Sequence, residues 1–187
     1  MSHLNNQTHI YYYVLKGNQN ILADERDKKR LLDIVLEVHQ GHSICAFCVT
    51  DEEAVFLECA GDIRKIREKA RRVTESFEAY LDKRSEKDMR ADQGLALTEL
   101  QELPTGIESV LEYARRIHRL PVKLGYVCRI SDYWWSSYPA YTGVYQWEVV
   151  DQEFLLSFFD QNEEKARRKL RRFHQATDSG QNSTPQD

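Results

Sequence analysis

The sequence predicts an α+β protein with a ferredoxin-like βαββαβ core, in which an antiparallel sheet carries helices on one face, followed by a C-terminal helical extension. Two observations lead to this prediction. Short segments rich in aromatic and β-branched residues alternate with longer amphipathic segments, and the first six run strand, helix, strand, strand, helix, strand. The chain has 187 residues, 41% of them hydrophobic, so it can form one sizeable core.

The first half of the chain contains a strand, a helix and a hairpin. Residues 9–16 (HIYYYVLK) are aromatic and β-branched and predict a strand, which Gly17 ends. Residues 24–39 carry apolar side chains at helical spacing and predict an amphipathic helix. Residues 42–49 and 54–59 predict two strands joined by a turn.

The next elements complete the core. Residues 62–83 predict a long amphipathic helix, and the charged residues 85–92 predict a loop. Residues 94–100 alternate weakly and predict a fourth strand. A further helix is expected to begin at Pro104-Thr105 and to be stopped by Pro121.

The chain then divides into three predicted parts. Residues 9–121 are expected to form the ferredoxin-like domain, and residues 122–175 a C-terminal extension packed on it. That extension holds a tryptophan-containing loop, a short helix capped by Asp151 and a basic helix capped by Asn162. The polar residues 176–187 predict a disordered tail.

Composition limits the possible functions. The formal net charge of −4 argues against strong unspecific attraction to nucleic acid, although a local basic face remains compatible with it. The longest apolar runs are too short to cross a membrane, and the first eight residues lack an apolar signal core, so a cytoplasmic protein without a membrane partner is expected.

The four cysteines predict no metal site and no structural disulfide. Cys45 and Cys48 have the spacing of half a zinc site, but no second half follows. We therefore expect reduced cysteines that pack in the core.

Two stretches in the second half resemble a known family. They are RIHRLPV at residues 116–122 and DYWWSSYPAYTG at residues 132–143, where two tryptophans are adjacent. Both resemble the REP-associated tyrosine transposases, which belong to the single-tyrosine HUH transposases and cut and join single-stranded DNA. The basic segment at residues 149–175 resembles the C-terminal part of these proteins, and the likeness extends over nearly all of residues 9–175.

The resemblance also implies a catalytic site whose key residues are changed here. In the family, a His-hydrophobic-His motif binds a divalent metal, a tyrosine attacks the scissile phosphate, and a polar residue one turn later completes the metal site. The two histidine positions fall on Glu53 and Val55, the tyrosine position on Arg116 and the later position on Leu120. The resemblance therefore favours a protein without strand-transfer activity, without a metal site and without a cofactor.

One alternative keeps the activity. Tyr113 lies three residues before Arg116 on nearly the same helix face, so it is the fallback nucleophile, with carboxylates such as Glu53 holding Mg²⁺ or Mn²⁺. The structural alternative for Tyr113 is a partly buried helix tyrosine.

Loss of cleavage leaves DNA binding open. The candidate contacts are arginines that neutralise phosphates and aromatic or polar residues that stack on or bind bases. They are Arg115, Arg116, Arg119, Trp134, Trp135, Ser136, Tyr138, Arg168, Arg171 and Arg172. The structural alternatives are a solvated basic helix and a tryptophan segment that fastens the extension to the sheet.

Three functions follow from these residues. The first is a transposase-family protein that binds single-stranded or hairpin DNA, such as a palindromic repeat, without cutting it. The second is an active single-strand transposase that uses Tyr113 and a metal, and the third is a protein-interaction module that does not bind DNA. The resemblance is compatible with a monomer or a homodimer.

Overall fold

The computed structural model describes residues 9–18, 20–39, 43–84, 94–104 and 106–175. The strands are β1 (His9–Gly17), β2 (Ile44–Val49), β3 (Glu53–Ala60) and β4 (Leu95–Glu102). The α-helices are α1 (Glu25–His39), α2 (Ile63–Arg84), α3 (Ile107–Lys123), α4 (Tyr138–Thr142), α5 (Gln152–Ser157) and α6 (Glu163–Gln175). Within these ranges no helix is both long enough and apolar enough to cross a bilayer.

The four strands form one antiparallel sheet in the order β2-β3-β1-β4. Together with the chain order β1-α1-β2-β3-α2-β4, this arrangement is the ferredoxin-like split βαβ topology, and it confirms the predicted fold class. The predicted loop at residues 85–92 and the predicted tail at residues 176–187 lie outside the described residues.

The two faces of the sheet carry different helices, as the neighbouring tyrosines of β1 show. Tyr13 points to the side of α1 and α2, because its hydroxyl donates to Glu58, which also binds His39 of α1. Tyr12 points the opposite way, and its ring lies 5.2 Å from the ring of Tyr113 on α3. The first two helices therefore share one face, as predicted, and α3 covers the other.

Helix α3 does not end at Pro121, so that prediction is wrong. Pro121 lies inside the last turn, where its missing N–H removes one hydrogen bond without stopping the helix. The helix ends at Lys123, and the chain turns away at Gly125, whose φ of +79° is readily adopted only by glycine. The N–H of Gly125 binds the carbonyl of Val122, and the N–H of Tyr126 binds that of Pro121, which forms a Schellman motif.

The outer edge of β2 is covered by residues 133–151, which we call the edge segment. Three backbone hydrogen bonds join them: Val49 N–H to Trp135 O (2.8 Å), Ser137 N–H to Phe47 O (3.0 Å) and Asp151 N–H to Ile44 O (2.9 Å). A bare strand edge exposes unpaired backbone groups and invites pairing with other chains. The edge segment removes that hazard by pairing with the strand.

Side chains of the edge segment complete this pairing. The Tyr141 hydroxyl donates to the carbonyl of Cys45, and the Tyr133 hydroxyl donates to the carbonyl of Val49 at 2.7 Å. The region predicted as a tryptophan loop also contains a short 3-10 helix and α4, which Gly143 ends with a φ of +78°. The edge segment is thus ordered and forms part of the core.

On the face that carries α1 and α2, the carboxylate of Glu58 is 0% exposed. Its oxygens accept hydrogen bonds from Tyr13 (3.0 Å), His39 (3.0 Å), Ser43 (2.9 Å) and Lys69. Burial alone would raise the pKa of Glu58, but the hydrogen bonds and charges of His39 and Lys69 outweigh it and lower the pKa to about 2. The carboxylate therefore joins β1, α1 and α2 through satisfied hydrogen bonds.

We predict that Glu58→Gln lowers the free energy of unfolding by about 3 kcal/mol, because the buried His39 and the partly buried Lys69 lose their carboxylate partner. Urea unfolding at pH 7 measures the change. Glu68→Gln is the matched control: Glu68 pairs with Arg71 on the exposed side of α2, and its loss should leave the urea midpoint nearly unchanged. Equal midpoints for the two variants would show that the Glu58 pairs contribute nothing.

Candidate nucleic-acid interface

The positions aligned with the catalytic histidines lie on the face of the sheet that α3 covers. Glu53 and Val55 alternate along β3 and pair with Lys16 and Val14 of β1. Val55 is buried and apolar, whereas Glu53 is half-buried. Only one of these two side chains can therefore ligate a cation.

Tyr12 lies at the centre of this face. Burial and the charge of Glu99 raise its pKa to about 12, with Arg116 acting in the opposite direction and Glu53 adding a smaller increase. The structure thus places Tyr113 and Arg116 against the Tyr12 ring, whereas Glu53 acts on Tyr12 only through its charge. Sequence reasoning missed Tyr12, although its position in the alternating HIYYYVLK strand places it on the face opposite Tyr13.

The residues in contact with Tyr12 form a group that we call the Tyr12 cluster: Tyr12, Gln101, Tyr113 and Arg116. The Gln101 amide donates to the Tyr113 hydroxyl. The guanidinium carbon of Arg116 lies 5.9 Å from the centroids of both tyrosine rings. Arg116 is exposed, and in the described residues it forms no ion pair with a carboxylate, so its charge is available to an anion.

The Tyr12 cluster has few groups that bind metals. Among the residues that the structure describes, no three His, Cys, Asp or Glu side chains lie close enough together to hold a metal ion. Leu120, the position expected to complete a metal site, packs half-buried against the core. The described side chains here offer a cation on an aromatic surface, which suits phosphates and bases.

The three arginines of the predicted patch lie on different sides of α3: Arg116 lies on one side, and Arg115 and Arg119 lie on another. Arg116 lies on the Tyr12 cluster, whereas the guanidinium carbon of Arg115 lies 5.3 Å from the ring centroid of Phe173 on α6. The charges of Arg115 and Arg119 also act on His174 of α6. These two arginines are half-buried between α3 and the end of α6.

Helix α6 presents an exposed basic stripe that we call the α6 stripe: Arg168, Arg171 and Arg172. The opposite side of the helix is buried through Ala166, Leu170 and His174. Within the described ranges none of the three stripe arginines forms an ion pair, whereas their neighbours Arg167 and Lys169 pair with Glu163 and Asp160. The α6 stripe is therefore open to a phosphate backbone.

The tryptophan segment divides into buried and exposed residues. Ser136 and Tyr138 are 0% and 3% exposed, so their side chains pack inside the protein and not at its surface. Trp135 is half-buried with its ring 6.3 Å from Trp147. Trp134 is 52% exposed beside Tyr145, at 5.4 Å between ring centroids, and is available for stacking.

A buried hydrogen-bond chain joins α6, α3 and the sheet, and sequence reasoning missed it. His174 Nδ1 lies 3.0 Å from the carbonyl of Leu170, and His174 Nε2 lies 2.8 Å from His118 Nδ1. His118 Nε2 lies 2.7 Å from the hydroxyl of Ser137, which accepts the N–H of Phe47 at 2.9 Å. Two neutral histidines, each with its proton on Nδ1, satisfy every partner in the chain.

Both histidines are held in their neutral form. Burial, followed by the nearby His174, places the pKa of His118 well below its usual range. Burial lowers the pKa of His174 to about 4; a hydrogen bond to Leu170 opposes this shift, and the charges of Arg115 and Arg119 add to it. The contact between α6 and α3 therefore depends on uncharged imidazoles.

The fold is similar to that of a solved structure. No protein-family model matches the sequence, and no curated protein matches it. Among solved structures, one of a REP-associated tyrosine transposase bound to a REP hairpin is similar, with a TM-score of 0.55 and 16% identity. The match covers 79% of this chain and 90% of the other. At this identity the likeness establishes a common fold.

We predict that the free energy of unfolding falls by about 2 kcal/mol between pH 7 and pH 5 through His174 alone. The folded pKa of about 4 lies below the ordinary 6.5, so unfolded chains bind more protons in this range. The stabilisation of the folded state by neutral His174 is present above pH 6.5 and is lost as the pH falls toward 4. Urea unfolding at several pH values measures it, and His174→Gln should show a shallower decline. Parallel declines in wild type and variant would contradict the assignment.

Proposed function

We propose that this chain is a member of the REP-associated tyrosine transposase group that binds single-stranded or hairpin DNA without cutting it. The observation that supports this proposal most strongly is Arg116, which is exposed on an aromatic surface and which the sequence resemblance aligns with the nucleophilic tyrosine. The likeness to a transposase bound to a REP hairpin supports the choice of DNA. A palindromic repeat with unpaired flanks is the ligand that fits both the exposed Arg116 and the hairpin bound by the similar structure.

An arginine at this position changes the chemistry of the site. A tyrosine oxygen attacks phosphorus and forms a covalent bond, whereas a guanidinium stays protonated and has no lone pair to offer. It still binds phosphate oxygens through two parallel N–H donors. Arg116 therefore retains affinity for the backbone while removing the attacking group.

The α6 stripe supplies the second contact. Three arginines on one exposed helix side can neutralise about three phosphates, and each one releases counterions from DNA. This contribution is independent of sequence and depends strongly on salt. It agrees with the net charge of −4, because the basic residues are concentrated locally.

Base contacts are assigned to the exposed aromatic rings. Trp134 and Tyr145 present their rings at the surface of the edge segment, and unpaired bases stack on such rings without sequence preference. Ser136 and Tyr138 are left out of the interface because they are buried. In this proposal no metal or cofactor takes part, and Mg²⁺ or Mn²⁺ is needed only by the active alternative.

We predict that replacing Arg168, Arg171 and Arg172 together by alanine weakens binding to a hairpin oligonucleotide with single-stranded flanks about tenfold or more. The slope of log affinity against log salt is negative, and its magnitude should decrease by about two, because about three phosphate contacts are lost. Fluorescence anisotropy at several salt concentrations measures both quantities. Arg116→Gln should weaken binding by a smaller factor.

The control for this experiment is Arg71→Ala. Arg71 lies on α2 and is paired with Glu68 and Glu75, so its removal should change neither the affinity nor the salt slope. If the wild-type protein fails to bind hairpin DNA even at low salt, the proposal is overturned and the protein-interaction module is favoured.

We further predict that no covalent protein–DNA product forms when the protein is incubated with labelled hairpin oligonucleotides and Mn²⁺ or Mg²⁺. Denaturing gel electrophoresis detects such a product directly. If a product forms in the wild type and is absent in Tyr113→Phe, the protein is an active transposase with a displaced nucleophile. Binding without a product supports the proposal.

A further inference from the structure

Two of the four cysteines lie side by side across neighbouring strands. The sulfur of Cys45 on β2 is 3.1 Å from the sulfur of Cys59 on β3. A disulfide bond is about 2.05 Å long, so a movement of about one ångström joins the two atoms. The sequence instead drew attention to Cys45 and Cys48, three residues apart on one strand, a spacing that places side chains on opposite faces.

The approach of these sulfurs has a local cause in the backbone. The pairing of β2 with β3 shifts its register between Ile44 and Ala46, so that Cys45 is an extra residue without an opposite partner. The N–H of Cys59 binds the carbonyl of Ser43 at 2.9 Å and holds the end of β3 beside this bulge. The bulge thus directs one thiol toward the other.

The two thiols differ in their access to solvent. Cys45 is 0% exposed, whereas Cys59 is half-buried at the end of its strand. Burial, a hydrogen bond with Cys59 and nearby acidic groups raise the pKa of the Cys45 thiol well above its usual range. Cys59 is therefore the sulfur that an oxidant reaches, and Cys45 is the one placed to resolve the oxidised form.

We propose that Cys45 and Cys59 form a redox-active pair that closes to a disulfide when a small peroxide reacts at Cys59. The Cys59 thiolate attacks one oxygen of hydrogen peroxide; an S–O bond forms, the O–O bond breaks, and the departing hydroxide leaves as water after taking up a proton. The Cys45 sulfur then attacks the Cys59 sulfur, the S–S bond forms, and the hydroxyl leaves with the Cys45 proton as a second water. The two thiols together lose two electrons, and hydrogen peroxide gains these electrons and becomes two waters.

The pair lies next to the edge segment. The Tyr141 hydroxyl donates to the carbonyl of Cys45 and to that of Asp151, at 3.2 Å for the second bond. The bond would therefore connect β2 covalently to β3 beside the residues that attach the extension to the sheet. A reductant of the dithiol class, which exchanges with exposed disulfides, reopens it from the Cys59 side.

The test uses the full-length folded protein treated with hydrogen peroxide, alkylated, digested and analysed by mass spectrometry. The expected result is a crosslinked Cys45–Cys59 peptide, with the loss of two titratable thiols per chain, and recovery of both thiols after dithiothreitol. In Cys45→Ala, the oxidised Cys59 should instead be trapped as a sulfenic acid by dimedone.

Cys128→Ser is the matched control, since Cys128 is exposed and should be dispensable for the crosslink. Cys59→Ser must abolish the crosslink while Cys128 still reacts. The proposal is overturned if peroxide oxidises Cys128 while Cys45 and Cys59 are both still recovered as free thiols from folded protein. A disulfide that joins Cys128 of two chains in place of this pair overturns it equally.

Discussion

The structure depends on how the outer edge of β2 is satisfied. Every residue of β2 is buried, so its outward N–H and carbonyl groups cannot rely on water and need partners from the chain. The edge segment supplies these partners, and Ser137 is central because its hydroxyl accepts the Phe47 N–H and also lies against His118. Through His118 and His174 the same hydroxyl fixes α3 and α6. The position of the candidate interface therefore follows from the pairing of one strand edge.

The two faces of the sheet carry different groups of residues. On the side of α1 and α2, Glu58 and its partners form a buried polar network that supports the core. On the side of α3, the Tyr12 cluster lies partly at the surface and combines aromatic rings with the cation of Arg116. Glu53 is half-buried and Arg116 is exposed, so neither side chain belongs to the buried core of this face.

Most predictions that rest on interactions between neighbours in the chain were accurate, whereas some that depend on contacts between distant residues were not. Strands and helices were predicted within a few residues because periodicity is local, and the caps at Asp151 and Asn162 were found because a cap acts over three residues. The stop at Pro121 was wrong because the fixed φ of proline is compatible with a helix and its missing N–H removes only one hydrogen bond. The burial of Ser136 and Tyr138 was not predicted, because composition does not show that a loop folds back onto a strand edge.

By itself, the sequence determined the α+β class, the order of the elements and the resemblance in the second half. Tertiary structure alone decided which helix covers which face and that Cys45 lies beside Cys59. It also decided that Arg116 lies against Tyr12, whereas Arg115 and Arg119 lie toward α6. The physical reason is the same in each case. Backbone preference and hydrophobic period act between neighbours in the chain, whereas burial, ring contacts and sulfur–sulfur approach depend on strand register and on the packing of residues far apart in sequence.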